Sequence, residues 1–213
     1  MSNREFDARE RIALIGKSIF ERGLTHGSTG NISVRLDGCW LITPTNSCLG
    51  RLDPARVSKL AWDGTLLDGD KPSKEAFMHL AMYEQRAEMN AVVHLHSTHS
   101  VAVSVLEDID QDDVLPPLTA YYLMRVGRLP LVPYFPPGEK SLAEAVRSYV
   151  SRHHALLLAN HGPLLGASSL DAASDAVEEL EETARLYLML QGRKLRALTP
   201  TQCDHLREKY GMP

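Results

Sequence analysis

Three histidines lie close together in the segment AVVHLHSTHS, residues 91–100. His94 and His96 are one residue apart and follow an apolar run that is typical of a strand. Because side chains alternate between the two faces of a strand, their imidazoles are predicted to point the same way, at a separation that suits one metal ion. Polar alternation on a solvated sheet face explains the pair about equally well, and the apolar residues before it favour the metal slightly.

A third ligand has to come from elsewhere, and His161 is the best candidate. It lies in LLLANHGPLL, at a sharp turn between two apolar strands, and would emerge at a strand end, where α/β proteins usually build their sites. Catalytic zinc sites commonly use three protein ligands and leave one position open. Glu75, just after KPSK at a predicted helix start, could be a fourth ligand or a base above the metal. The alternatives are a turn histidine and an ordinary first-turn glutamate.

The other histidines have weaker spacing. His79 follows Glu75 by four residues and could bind a metal with it, but we predict a supporting or buried role. His99 should face differently from His96, and is predicted to support the ligands or to face the substrate. The histidines without ligand spacing are His26, His153, His154 and His205.

Size and composition restrict the class of protein. With 213 residues, 44% of them hydrophobic, the chain is predicted to form a single domain over residues 1–213. A net charge of −4 argues against nucleic-acid and anionic-membrane partners. No apolar run suits a signal peptide or a membrane span. The cysteines are three, scattered and outside any Cys-x-x-Cys pair, which favours a reducing compartment, and we predict a soluble cytoplasmic protein.

Helices and strands alternate along the chain and must position these residues. Helices are predicted at 5–22, 73–86 with Ser73 as N-cap, about 98–106, 139–150, and 170 to about 191. Strands are predicted at 31–36, 39–45, 57–64, 91–95, 129–135, 154–160 and 163–168. No Gly-x-Gly-x-x-Gly turn indicates a dinucleotide fold. The pattern predicts an α/β domain whose largely antiparallel or mixed central sheet is covered by helices.

Five motifs carry a family resemblance: GSTGNIS, LITPT, KPSKE, VVHLHSTHS and ANHG. Their order and spacing resemble the class II aldolase/adducin-head family over almost the whole chain. The resemblance implies that His94, His96 and His161 hold one zinc ion per subunit, and that Glu75 is a ligand and acid/base. It also implies an α/β/α sandwich with a mostly antiparallel sheet, and a homotetramer with active sites at subunit interfaces. Imidazole ligands suit other divalent metals as well.

A phosphate site is indicated by three polar segments, GSTGN, TPTNS and PSK, whose glycines, hydroxyls and amides can approach an anion. Each of these residues could equally be a turn or cap residue. By similarity to the family, the residues around the substrate phosphate would be Gly30, Asn31, Thr45, Asn46, Ser73 and Lys74. Where the aldolases tend to have Ser-Ser, this chain has Ser73-Lys74, and Lys74 adds a positive charge. Where they tend to have Thr-Gly, this chain has Thr45-Asn46.

Within the family, the segments LITPTNSCLGRLDPARVSKL, GDKPSKE and MRVGRLPLVPYFPPG most resemble members that decarboxylate 3-oxo-tetronate 4-phosphate. This resemblance implies loss of carbon dioxide from a phosphorylated sugar acid through a metal-bound enediolate, which Glu75 protonates to dihydroxyacetone phosphate. A fuculose-1-phosphate-type aldolase, or an epimerase or dehydratase acting on another sugar phosphate, would use the same site. A non-catalytic adducin-head-like module would be expected to lack the ligands. Similarity to the aldolases implies that Tyr121 assists catalysis across the subunit interface, with Tyr122 or Tyr210 as alternatives.

Overall fold

The computed structural model describes residues 3–136, 138–139 and 141–210. The helices and strands in this part of the chain are α1 (Asn3–Glu21), β1 (Asn31–Leu36), β2 (Cys39–Ile42), β3 (Ser58–Leu60), β4 (Leu66–Asp68), α2 (Ala76–Gln85), β5 (Ala91–His94), α3 (Thr98–Ser104), α4 (Ala120–Arg125), β6 (Leu131–Val132), α5 (Ser141–Val150), β7 (Ala155–Leu158), β8 (Gly162–Ala167), α6 (Leu170–Met189) and α7 (Pro200–Tyr210). Across these residues, no helix combines the length and apolar character needed to cross a membrane.

A single eight-stranded sheet forms the centre of the fold, in the order β4-β3-β2-β1-β5-β8-β7-β6. Neighbouring strands are antiparallel except for β6 and β7, which are parallel. The predicted mostly antiparallel sheet is therefore confirmed. The two strands in the middle, β1 and β5, place Asn31 opposite His94, and β8 places Leu164 on the other side of His94. The histidine motif thus lies at the end of a strand in the middle of the sheet.

Helices cover both faces of the sheet, because each central strand buries side chains in both directions. In β5, Ala91 and Val93 belong to the cluster packed by α1, α3, α4 and α6, whereas Val92 belongs to the cluster packed by α2 and α5. Helix α1 contributes Ile12 and Ile19, whose helical spacing puts both on the buried side. This arrangement is the α/β/α sandwich that the family resemblance implied.

The helix predicted from Ser73 begins later, at Ala76, and the predicted Ser73 cap is wrong. Glu75 occupies the cap position, and its side chain makes no capping hydrogen bond. The Ser73 hydroxyl oxygen accepts instead from the Glu75 N–H and from the Asn31 amide, both at 3.2 Å. These bonds hold a turn before the helix, and the Glu75 carboxylate accepts from the Asn31 amide at 2.7 Å.

Candidate metal centre

The end of β5 supplies the first two imidazoles. β5 ends at His94, so His96 lies beyond the strand rather than within it. The Leu95 N–H still bonds the Pro163 carbonyl at 3.2 Å, which keeps the chain extended for one more residue. The Nε2 atoms of His94 and His96 consequently lie 3.1 Å apart. The structure thus brings the His-x-His pair to one point, although the strand is shorter than predicted.

The Asn-His-Gly turn between β7 and β8 supplies the third imidazole. Gly162 has a φ of +146°, and a Cβ at this position would lie 2.2 Å from the Leu95 carbonyl oxygen. Only glycine lets the turn pack this closely against the backbone between His94 and His96. The His161 ring therefore lies 4.7 Å, centroid to centroid, from the rings of both other histidines.

Glu75 closes the cluster from the start of α2. Its Oε1 lies 3.1 Å from His161 Nε2, and its Oε2 lies 3.6 Å from His94 Nε2. One ligand atom from each of Glu75, His94, His96 and His161 lies within 4.8 Å of the other three. Three nitrogens and one carboxylate oxygen form a donor set that zinc commonly takes.

The hydrogen bonding of His94 supports a cation at this point. His94 Nδ1 donates to the Pro163 carbonyl at 2.8 Å, so its Nε2 carries a lone pair in the neutral ring. That lone pair faces the Nε2 of His96 at 3.1 Å and the carboxylate of Glu75 at 3.6 Å. A group of electron-pair donors directed at one another is favourable when a cation lies between them, and the four residues fit a divalent metal.

Burial determines the charge of the histidines. It lowers the pKa of His94 to about 3, against the opposing effect of Glu75, and it lowers the pKa of His96 to about 4. Both rings are therefore neutral near pH 7 and keep the lone pairs that metal binding requires. Burial raises the pKa of Glu75, but the charge of His94 and the hydrogen bonds from His161 and Asn31 outweigh it and lower this pKa well below its usual range. Since His94 is neutral near pH 7, the hydrogen bonds are the contribution that persists there.

His79 and His99 support the cluster from outside it. Both ring nitrogens of His79 are engaged, Nε2 with Asn31 Oδ1 and Nδ1 with Ser33 Oγ. His99 Nδ1 donates to Glu181 at 2.8 Å. Glu181 also accepts from the backbone N–H groups of His99 and Ser100, at 2.9 Å each, and so fixes the start of α3 directly after the His-x-His motif.

Sequence reasoning missed Glu181. The available sequence signal was a charged residue directly after Leu180, which lies on the apolar face of α6. In the structure the Glu181 side chain is only 7% exposed.

The three polar loops predicted to bind phosphate lie side by side. Thr45 N–H donates to the Lys71 carbonyl at 3.0 Å, and Ser73 N–H donates to the Thr43 carbonyl at 3.2 Å. Thr45 and Asn46 line a cavity of about 490 Å³ together with Gly27, Ser28 and other residues of these loops.

The other residues predicted to bind phosphate are not among those that line this cavity. Gly30 has a φ of +80°, and a Cβ there would lie 2.9 Å from the His94 carbonyl oxygen, so this glycine permits the close approach of β1 to β5. The Asn31 amide is directed at Glu75 and Ser73. The Lys74 side chain is exposed.

The tyrosines weighed for catalysis lie on α4 and α7. Tyr121 is 62% exposed, and Arg125 lies 5.6 Å from the centre of its ring. Tyr122 is buried in the core, and its hydroxyl has no hydrogen-bond partner among the described residues. Tyr210 is half exposed at the end of α7. In the part of the chain that the structure describes, no hydrogen bond or ring contact joins any of the three to the histidine cluster.

Comparison with known proteins agrees with this fold and this cluster. The sequence model of the family described as Class II Aldolase and Adducin N-terminal domain matches residues 10–188. The chain belongs to this family. The family is generally metal-dependent, and the three histidines and Glu75 are the residues of this chain that could hold the ion.

Three members of the Class II Aldolase and Adducin N-terminal domain family illustrate the similarity. The 3-oxo-tetronate 4-phosphate decarboxylase of Escherichia coli strain K12 is 49% identical over 95% of this chain and 96% of that enzyme. The solved structure of YgbL from Escherichia coli superposes with a TM-score of 0.94 at 48% identity, covering 96% of this chain and all of that one. An L-fuculose 1-phosphate aldolase superposes with a TM-score of 0.85 at 27% identity, covering 99% of this chain and 98% of that one.

Proposed function

We propose that this chain is a metal-dependent carboxy-lyase that converts 3-oxo-tetronate 4-phosphate to dihydroxyacetone phosphate and carbon dioxide. The observation that carries the proposal is the 49% identity to the named decarboxylase over 95% of the chain. Identity to the L-fuculose 1-phosphate aldolase is 27%. Both named enzymes are lyases, so the histidine cluster is compatible with either and the degree of similarity favours decarboxylation.

The proposed metal is zinc, held by His94, His96 and His161 with Glu75. Three imidazoles and one carboxylate match the ligand types and number of zinc sites. When bound, the ion supplies a Lewis acid that takes up negative charge developing on substrate oxygens. The metal content of protein purified without chelators, measured by mass spectrometry, tests zinc against the other divalent metals that imidazole accepts.

Glu75 has the central role among the protein's own groups. The substrate is a 3-oxo acid, so when its carboxylate leaves as carbon dioxide, the bonding electron pair passes to the adjacent carbon and the ketone oxygen. The carbon that lost the carboxylate must then gain a proton. Glu75 lies at the cluster and can deliver that proton as a general acid. Because Glu75 is ionised in the resting site, it gains this proton from solvent water after the substrate binds, and the reaction consumes one proton overall.

The substrate phosphate is proposed to bind the polar loops, through Gly30, Asn31, Thr45, Asn46, Ser73 and Lys74. The hydrogen bonds that join the loops of Thr45 and Ser73 support the proposal, and Thr45 and Asn46 also line the cavity of about 490 Å³. We further propose a cytoplasmic homotetramer in which Tyr121 reaches the site of a neighbouring subunit. Its 62% exposure leaves it accessible to another copy. Native mass spectrometry of the purified protein tests the tetramer.

The second candidate is an aldolase acting on a ketose 1-phosphate. The TM-score of 0.85 to the L-fuculose 1-phosphate aldolase favours it. Both reactions pass through a carbanion beside a carbonyl group, and both can release dihydroxyacetone phosphate. That product therefore does not separate them, whereas carbon dioxide does.

The deciding experiment gives purified protein 3-oxo-tetronate 4-phosphate and, separately, a panel of ketose 1-phosphates. Dihydroxyacetone phosphate is measured by a coupled NADH assay, and carbon dioxide is measured independently from substrate labelled in the carboxylate. We expect equal amounts of both products from the keto acid. Glu75→Gln should retain metal and lose turnover by about 100-fold. Faster cleavage of a ketose 1-phosphate than release of carbon dioxide would support the aldolase instead.

A further inference from the structure

A row of buried polar side chains connects β1 to α2 behind Glu75. Asn31 and Ser33 come from β1, and His79 and Tyr83 come from α2; all four are at most 3% exposed. Asn31 Nδ2 lies 2.7 Å from Glu75 Oε2, and Asn31 Oδ1 contacts His79 Nε2. His79 Nδ1 lies 2.7 Å from Ser33 Oγ, which lies 2.8 Å from the Tyr83 hydroxyl. The row is therefore continuous from Tyr83 to Glu75.

The residue intervals along β1 and α2 match, and this match aligns the side chains of the row. Glu75, His79 and Tyr83 are four residues apart, which corresponds to a rise of about 6 Å along a helix. Asn31 and Ser33 are two residues apart, which corresponds to about 6.6 Å along a strand. The near equality of the two rises lets each strand side chain meet its partner on the helix.

The hydrogen-bond directions follow from the atoms in contact. Asn31 Nδ2 lies beside both Glu75 Oε2 and Ser73 Oγ, and an amide nitrogen only donates. The Asn31 carbonyl oxygen then faces His79, which must donate from Nε2 and hold a lone pair on Nδ1. Ser33 therefore donates to His79 and accepts from Tyr83. Only one orientation of the Asn31 amide satisfies all of these groups.

We propose that Asn31 is a positioning residue for Glu75, and that His79, Ser33 and Tyr83 hold the Asn31 amide in the orientation that donates to Glu75 Oε2. Asn31 uses both its amide hydrogens within the protein, on Glu75 and Ser73. The inference rests on the proposed role of Glu75 as the proton donor.

His79 variants test the role in catalysis. His79→Met removes the donor to Asn31 and should lower kcat by roughly 10-fold to 100-fold, the range found for groups that orient metal-site ligands. The KM for the phosphorylated substrate should change little. His79→Gln can donate again through its amide and should recover most of the lost kcat. Equal losses in the two variants would overturn the proposal.

Asn31→Ala separates positioning from phosphate binding. A positioning role predicts a lower kcat, whereas a raised KM with full kcat would leave Asn31 a phosphate ligand alone and overturn the proposal. Ser58→Ala is the matched control for Ser33→Ala. Both serines are fully buried strand residues with a hydroxyl hydrogen bond, but the Ser58 hydroxyl donates to the Asp70 carbonyl. Both variants should lose similar stability, and only Ser33→Ala should lower kcat.

A measurement on the metal-free protein needs no substrate. Histidine labelled with ¹⁵N reports the tautomer of each neutral ring by long-range ¹H–¹⁵N correlation spectra. We expect His79 as the pure Nε2–H tautomer in the wild type, and a mixture in Asn31→Ala. An Nδ1–H tautomer in the wild type would overturn the proposal. If the tautomer is as expected but no carbon dioxide is released from the keto acid, the proposed function fails while the orientation of Asn31 is upheld.

Discussion

Replacing Gly162 with alanine should damage both the fold and the metal centre. The new Cβ would lie 2.2 Å from the Leu95 carbonyl oxygen and 3.3 Å from the His96 Cα. The two segments would have to separate by about 1 Å to restore an ordinary van der Waals distance. Leu95 lies between His94 and His96, so this separation moves His161 away from both.

The expected magnitude follows from the contacts at this position. Alanine at a φ of +146° is strained by about 1–3 kcal/mol. The hydrogen bond from Leu95 N–H to the Pro163 carbonyl, next to the substitution, is worth about 1 kcal/mol if it breaks. The free energy of unfolding of the metal-free protein should therefore fall by about 3 kcal/mol. A displacement of about 1 Å in the site should lower turnover by roughly 100-fold.

Gly64→Ala is the matched control. Gly64 also has a positive φ, +86°, but a Cβ there would have no atom within 4 Å. It should lose only about 1 kcal/mol through backbone strain and leave zinc affinity unchanged. Urea denaturation of the metal-free variants and zinc titration against a chromophoric chelator measure the two effects. If Gly162→Ala matches Gly64→Ala in stability and binds zinc as the wild type does, the assigned role of Gly162 is refuted.

Three further predictions concern ligands and charges. His161→Ala should reduce bound metal far below stoichiometric amounts and abolish turnover; full metal content would remove His161 from the ligand set. Lys74→Ser should raise the KM for the keto acid phosphate about 10-fold with zinc retained, because a point charge is lost; an unchanged KM would contradict its role. Burial raises the pKa of Glu5, but Lys59 and Arg9 outweigh burial and lower this pKa below 4.5. The Glu5 contribution to stability is therefore present above about pH 4.5, and it is lost as the pH falls through the pKa of the folded state. Glu5→Gln weakens hydrogen bonds to charged groups and should lower the free energy of unfolding by about 2 kcal/mol at pH 7, and by much less at pH 3, in urea titrations; an equal loss at both values would refute the ion pair's contribution.

Alternation of apolar residues was sufficient to predict most of the sheet and the layers of helices around it. Strand β4 (Leu66–Asp68) was missed because all three of its residues are exposed, so no alternation marks it. The strand predicted over 129–135 shrinks to Leu131–Val132, because prolines on both sides cannot donate to the ladder. The short helix α4 follows a proline-rich connection and was not predicted, since six residues are too few for a periodic signal.

The residues of the candidate metal centre were predictable because spacing alone brings two of them together. His94 and His96 are one residue apart at the end of an extended segment. His161 needed the expectation that an Asn-His-Gly turn emerges at a strand end. What the sequence could not indicate was the contact of Gly162 with the Leu95 carbonyl, because it depends on the pairing of β5 with β8. Long-range pairing of this kind has no local signature.

The polar row behind Glu75 shows a second limit of the same kind. In β1 the apolar Ile32 alternates with Asn31 and Ser33, a pattern that describes a solvated sheet face as well as a buried one. The structure covers these polar residues with α2 instead. Leaving a buried donor or acceptor unpaired costs about 1–3 kcal/mol, so a polar face can be covered only by an element that carries partners at matching intervals. Helix α2 meets that condition with His79 and Tyr83. The requirement for matched partners therefore restricts which helix can pack on β1, and the same contacts that allow the packing also orient Glu75.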